Sequence, residues 1–211
     1  MNFSRWHLLI ALGASMLIYP ALPARAQNVN VAELMAPGPL PDRPLGQEKA
    51  PVTVVEYASM TCSHCARFHT AVYPEFKKKY IDSGKVRFIL REFPLDPIAM
   101  GAFALARCLP EDKYYPMVDT LFEQQKNWAF VPDPPKALLV IAKQAGFTEQ
   151  TFESCLTDPK LGHSIEESAR RANEKFGVSG TPTFFINGQM LKGEATLEAI
   201  SKIIDPMLKP E

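Results

Sequence analysis

The sequence predicts an α/β domain in which a strand-helix-strand unit is interrupted by a long helical insertion and closed by a hairpin and a last helix. Three observations predict it. Val52, Val54, Val55 and Tyr57 form a β-branched run after Pro51, helical signals continue from Ile98 to Phe176, and Asn187-Gly188 separates two short apolar runs. The first has the length of one buried strand, and the third is the signature of a tight type I′ hairpin.

The chain opens with a lone Arg5, an apolar run from Leu8 to Ile18, and Ala24-Arg25-Ala26. Residues 1–26 read as a signal peptide with an A-x-A cleavage site. The apolar run, followed by Pro20 and Pro23, falls well short of the ~20 residues that span a bilayer, so the mature protein is expected to be soluble and exported. Cleavage leaves 185 residues, a length that suits one domain with a substantial core. It removes Arg5 and Arg25 and no acid, leaving 21 basic and 23 acidic residues. Neither nucleic acid nor an anionic membrane surface is implied by that balance.

Residues 27–48 are rich in Pro and Gly and read as an N-terminal leader with one short element; residues 49–211 form the domain proper. After the first strand, Cys62 opens a helix whose Cys65, Phe68, Val72 and Phe76 recur at three- and four-residue steps. Lys77, Lys78 and Lys79 suit its negative end, and Pro74 is expected to kink it. Val86 to Phe93 alternates as a second strand, and the strand-helix-strand order implies a parallel pair with a right-handed crossover. The insertion, at about residues 98–176, contains Ala99 to Leu109, Met117 to Gln125, a Leu138-Ile141-Ala142-Ala145 stripe ending at Gly146, and a Phe152-Cys155-Leu156 face. Ser164 to Glu167 reads as a capping box opening a last insertion helix that stops at Gly177. Thr183 to Ile186 and Gln189 to Lys192 form the hairpin, and Leu197, Ile200, Ile204 and Leu208 mark the final helix.

The chemistry concentrates at Cys62-Ser63-His64-Cys65. The pair lies where the first strand hands over to its helix, the place where open α/β sheets carry their sites. A helix N-terminus holds unpaired N–H groups and about half a positive charge, which stabilises a thiolate at Cys62. A protonated or hydrogen-bonding His64 imidazole is expected to add to this. A low thiolate pKa makes the Cys62-Cys65 disulfide a readily attacked oxidant, with Cys65, one turn deeper, as the resolving thiol. A zinc half-site is the competing reading of Cys-x-x-Cys, yet no second Cys-x-x-Cys or His-x-x-x-His follows at finger spacing. Copper(I) binding through Cys62, Cys65, His64, His69 or Met60 is a further alternative. His69 and His163 read as ordinary helix-surface residues. No cofactor and no metal are called for by the preferred reading.

Cys108 and Cys155 lie on separate predicted helices of the insertion, 47 positions apart. In an oxidising compartment they read as a structural disulfide, with two buried free thiols as the alternative.

Val54-Val55-Glu56-Tyr57 leading into Cys62-Ser63-His64-Cys65, the helical insertion, and Gly180-Thr181-Pro182-Thr183-Phe184 together resemble the bacterial DsbA family of thiol:disulfide oxidoreductases. The resemblance covers residues 46–208 and implies a thioredoxin-like fold with an inserted α-helical domain. It further implies a cis peptide before Pro182 beside the dithiol, with Thr181 pairing its backbone to a substrate strand, and Glu56 as a buried acid that exchanges a proton with Cys65. Reduced exported proteins are then the substrates, a membrane-bound redox partner of the DsbB type reoxidises the dithiol, and the compartment is the periplasm. Ser63 departs from the proline of the best-known members, and Thr181 from the valine of several oxidases, which leaves the potential and the isomerase or reductase alternative open. Related isomerases carry an N-terminal dimerisation region, whereas only about 25 residues separate Ala26 from the first strand here, so a monomeric oxidase is expected.

Overall fold

The computed structural model of the chain describes residues 28–193 and 195–208. The expected signal peptide at 1–26 lies outside them. Five strands form one sheet in the order β1-β3-β2-β4-β5: β1 Pro44–Leu45, β2 Val52–Ala58, β3 Val86–Glu92, β4 Thr183–Ile186 and β5 Gln189–Lys192. β2 and β3 run parallel, Val52 opposite Val86 through Ala58 opposite Glu92, while the other three pairings are antiparallel. The strand-helix-strand unit and the hairpin thus stand as expected. Asn187 and Gly188 both take positive φ (45° and 85°), the backbone that a two-residue type I′ turn requires.

Side chains of a strand alternate between faces, so the sheet separates two apolar cores. Val54, Phe88, Phe184 and Ile186 face the larger core with the helices that follow Cys62 and those of the insertion. Val55, Tyr57, Ile89 and Phe185 face a smaller one with Leu34, Ala172 and Phe176. Glu56 shares the parity of Val54, which puts its carboxylate on the large-core face, 0% exposed.

The helix after β2 begins as α2, Ser63–Arg67, continues through a π-helical turn at Phe68–Val72, resumes as α3, Tyr73–Phe76, and ends in a second π turn at Lys77–Ile81. Where Pro74 was expected to kink the helix, the hydrogen-bond ladder widens into a π turn. Pro74 has no N–H to donate to Thr70, and the Tyr73 N–H reaches back five residues to Phe68. A π turn inserts one residue, so the buried face advances: Tyr73, not Val72, is fully buried, followed by Phe76 and Tyr80.

The insertion comprises α4 Pro97–Cys108, α5 Glu111–Glu123, α6 Gln125–Trp128, α7 Pro134–Gln144, α8 Glu149–Leu156 and α9 Pro159–Phe176. The helix expected to open with a capping box at Ser164 instead starts five residues earlier at Pro159. Asp158 accepts from the N–H groups of Lys160 and Leu161, and Pro159 fits the first helical position, where no N–H is needed. A capping box does occur, at Thr148 and Thr151 on α8. Gly177 closes α9 in the left-handed conformation (φ 67°). Cys108 and Cys155 are bonded to each other, tying the end of α4 to α8.

The segment before β2 holds more than one short element. It carries α1, Val31–Met35, and then β1, which extends the sheet along β3. Its carbonyls are held by arginines: Arg171 donates to Glu33, Ala36 and Pro37, Arg107 to Pro41, and Arg91 to Leu34. Arg91 also grips both oxygens of Asp42 at 2.8 Å. The chain ends, within the described residues, in α10, Leu197–Ile204, and one 3₁₀ turn. Among the described residues no helix is long and apolar enough to cross a membrane.

Candidate active site

Cys62 is the N-cap of α2. Both it and Cys65 are free, so the structure is that of the reduced dithiol. The Cys65 N–H donates to Cys62 Sγ at 3.4 Å, as a side-chain cap does, and the Ala66 N–H takes the Cys62 carbonyl at 3.0 Å. Cys62 retains 9% of its surface and Cys65 none, so an incoming sulfur reaches Cys62 first.

The two thiols are driven apart in acidity. Cys62 is lowered to about 5, first by the hydrogen bond from the Cys65 thiol, against the desolvation that opposes it, then by the Thr181 side chain and the backbone N–H groups of Cys65 and His64. Cys65 is pushed well up, by burial first and then by donating to Cys62 and facing the Glu56 charge. Glu56 thus bears on Cys65, the thiol with which it was expected to exchange a proton. His64 contributes to lowering Cys62 through its backbone N–H, while its exposed ring is hydrogen-bonded to Arg67 at Nδ1 (3.0 Å). Ser63 is exposed and stands in the first turn of α2.

Across from Cys62 lies the loop before β4. The Thr181-Pro182 peptide is cis, and the thiol of Cys62 donates to the Thr181 carbonyl at 3.2 Å. A thiolate cannot make that bond. The Thr181 hydroxyl is buried and makes no hydrogen bond among the described residues, so for the ionised sulfur the donors in place are the Cys65 thiol and the Cys65 and His64 N–H groups, with Thr181 adding to the lowering.

Two contacts that the sequence did not signal hold the Cys62 turn in place. Gln125, buried at the start of α6, donates from Nε2 to the carbonyls of Met60 (2.8 Å) and Cys62 (3.0 Å), so the insertion grips the dithiol turn directly. Thr61 donates to Asp96 Oδ2 at 2.6 Å while Asp96 Oδ1 caps α4 at the Ala99 N–H. Asp96-Pro97 is a readable helix start; Gln125 has no such signature.

His69 was expected on the helix surface and is instead buried, with Nε2 2.9 Å from Glu56 Oε2. Its ring stacks on Phe122 of α5 at 4.3 Å. A signal was present: His69 lies four residues after Cys65, on the same helix face. His163 is exposed, as expected.

A cysteine pair at the start of the helix after a central strand, facing a cis-proline loop across a five-stranded sheet with a helical insertion, defines a thioredoxin-fold dithiol protein. A thioredoxin family model matches residues 40–206. Wolbachia pipientis alpha-DsbA1 is similar in structure (TM-score 0.76, 33% identity, covering 84% of this chain and 96% of that one). A Rickettsia prowazekii protein provisionally named a protein-disulfide oxidoreductase is 33% identical over 171 residues, 81% of this chain. Disulfide bond formation protein D of Bacillus subtilis is 28% identical over 170 residues, 78% of this chain and 76% of that one. The chain belongs to the thioredoxin family, in its DsbA branch. It spans 62% of the length of the Rickettsia relative.

Proposed function

We propose that this protein is an exported thiol:disulfide oxidase that passes the Cys62-Cys65 disulfide to reduced protein substrates. The observation that carries the reading is the opposite displacement of the two sulfurs: Cys62 accessible and held as a thiolate, Cys65 buried and held as a thiol. A pair so divided is a stable reduced product, and a stable reduced product makes an oxidising disulfide. A substrate thiolate attacks Cys62 Sγ; the Cys62-Cys65 bond breaks, and Cys65 leaves with the electron pair and takes up a proton. The substrate's second thiolate then attacks the sulfur joined to Cys62 and expels Cys62 as its thiolate. The substrate dithiol is oxidised, the protein disulfide is reduced, and of the two substrate protons one stays on Cys65 while the other goes to solvent.

Thr181, beside Cys62 and ahead of β4, is where a substrate strand pairs its backbone. The Cys108-Cys155 bond stands apart from turnover. Export by residues 1–26 to the periplasm, reoxidation by a membrane-bound partner of the DsbB type, and action as a monomer complete the reading. Cys62→Ala is expected to abolish oxidation of a reduced, multi-thiol substrate, and Cys65→Ala to accumulate mixed disulfides through Cys62. Equal trapping by both variants would count against the assignment. Light scattering of the mature protein, with refolding of a scrambled substrate, decides between oxidase and isomerase: a stable oligomer that repairs scrambled disulfides faster than it oxidises thiols overturns the oxidase reading.

A further inference from the structure

Each turnover moves a proton onto or off Cys65, and Cys65 is 0% exposed. The Glu56 carboxylate beneath it is equally buried. Oε1 of Glu56 is hydrogen-bonded to no described residue, Cys65 included, while the Glu56 charge opposes ionisation of that thiol. Oε2 is taken by His69 Nε2 at 2.9 Å. The other ring nitrogen, Nδ1, has no hydrogen-bond partner and points towards Asp119 Oδ1 of α5 at 4.0 Å. The His69 side chain is 1% exposed and that of Asp119 44%, so along Cys65, Glu56, His69 and Asp119 the groups pass from the core to water. One imidazole thus has a buried acid on one nitrogen and a surface acid 4.0 Å from the other, and a ring so placed can pass a proton by gaining it on one side and losing it on the other.

We propose that His69 and Asp119 form the outlet through which the proton of the buried Cys65-Glu56 site exchanges with solvent. This rests on the oxidase reading above and deepens it. The groups packed on His69 make its ring a through-route: Phe122 of α5 stacks on it, Phe68 and Tyr73 flank it from its own helix, and the titratable groups that face it are Glu56 from β2, Asp119 from α5 and the buried Tyr73 hydroxyl. Burial raises the Asp119 carboxyl, which brings it nearer to an imidazole in proton affinity. The 4.0 Å gap closes by rotation of a half-exposed carboxylate. Electrons do not travel this path: when the reduced protein meets a small disulfide, Cys62 forms the mixed disulfide, and Cys65 then loses its proton to Glu56, attacks Cys62 Sγ and expels the second thiolate. The proton then leaves Glu56 by way of the ring: with its own proton on Nδ1, His69 takes the Glu56 proton at Nε2 and gives the Nδ1 proton to Asp119. His69 and Asp119 are therefore relay residues that act through Glu56.

A buried carboxylate needs a partner for stability alone, so the test must separate relay from packing. Reduced protein is mixed with glutathione disulfide, and the two steps are followed separately by rapid quench in dilute buffer. Asp119→Ala, a surface change on a helix, is expected to leave mixed-disulfide formation at Cys62 unchanged and to slow its resolution by about tenfold, below the ~10²-fold or more of a group that transfers protons directly. Added acetate, which can occupy the vacated position, is expected to restore the rate. His69→Gln, which keeps an N–H for Glu56, is expected to slow resolution alike. Resolution at the wild-type rate in Asp119→Ala overturns the relay, and so does slowing that acetate does not relieve. Failure of the unsubstituted protein to form any mixed disulfide at Cys62 is a different result, and would remove the oxidase reading itself.

Discussion

At the scale of the residue, the acidity of Cys62 is the property from which most else follows, and it is built from hydrogen bonds aimed at one sulfur. Its thiolate absorbance is expected to titrate with a midpoint of about 5. Thr181→Val removes the hydroxyl while keeping the shape, and is expected to raise that midpoint; an unmoved titration would show that the hydroxyl does not reach the thiolate. His64→Ala, which keeps the backbone N–H, is expected to move it less. The same shift sets a pH dependence of stability. Cys62 is depressed in the folded reduced state, so its contribution is complete above the unfolded thiol value near 9 and is lost as pH falls through about 5. The stability of the reduced protein relative to its disulfide form is therefore expected to rise by about 1 kcal/mol per pH unit between those limits, and denaturant titrations of both forms at several pH values would measure it. Cys65 works in the opposite sense. Its folded value is raised, so it begins to cost stability only as pH climbs past the unfolded thiol value.

At the scale of the element, the dithiol turn is positioned by neighbours from two directions. Asp96 joins it to the start of α4 and Gln125 joins it to the start of α6. In Gln125→Leu the Cys62 carbonyl keeps the Ala66 N–H, while the Met60 carbonyl loses the partner it has here. One buried carbonyl left unpaired costs about 1–3 kcal/mol. The variant is expected to melt at a lower temperature and to oxidise substrate more slowly, with thermal melts and a turnover assay run on one preparation; unchanged melting would mean that the turn holds its shape without the insertion. The helix from Ser63 to Ile81 makes a related point. Its π turn is forced by Pro74, and that turn is what rotates Tyr73 inward while His69 remains beneath Glu56.

At the scale of the whole molecule, two sets of long-range ties hold the chain together. The Cys108-Cys155 bond closes a loop of 47 positions, for which the chain-entropy model allows about 4 kcal/mol. The double Cys108→Ser, Cys155→Ser variant is expected to unfold at lower denaturant yet retain most oxidase activity, and a folded variant without activity would assign the second pair a part in turnover. The arginine contacts to the segment before β2 form the other set. Arg91→Ala strips Asp42 of its partner and leaves the Tyr57 hydroxyl and the Leu34 carbonyl without their shared donor. Asp42 is a quarter exposed, so the loss is expected to fall below the ~3–5 kcal/mol of breaking a fully buried pair from one side. Limited proteolysis is expected to cut first within residues 28–45 of that variant; an unchanged pattern would show that β1 pairing and the Arg107 and Arg171 contacts hold the segment without Arg91.

Local signals were enough for the elements, because strand alternation, caps and turn chemistry act over a few neighbouring residues. Val52 to Tyr57, Asn187-Gly188 and the Cys-x-x-Cys at a helix start each carry their meaning in their own vicinity. Position four after Cys65 put His69 on the inward face in the same way, although its polarity argued for the surface. What the sequence could not contain was the cost of leaving Glu56 buried and alone, a cost that arises only once β2, α5 and the helix after Cys62 close around it. Gln125, 63 residues after Cys62, likewise has a role only because the insertion folds back on the dithiol turn. The order of elements and the chemistry of the dithiol were legible along the chain; which polar groups meet in the core followed from the fold, since burial makes an unpaired charge or carbonyl costly and so selects partners far apart in the chain.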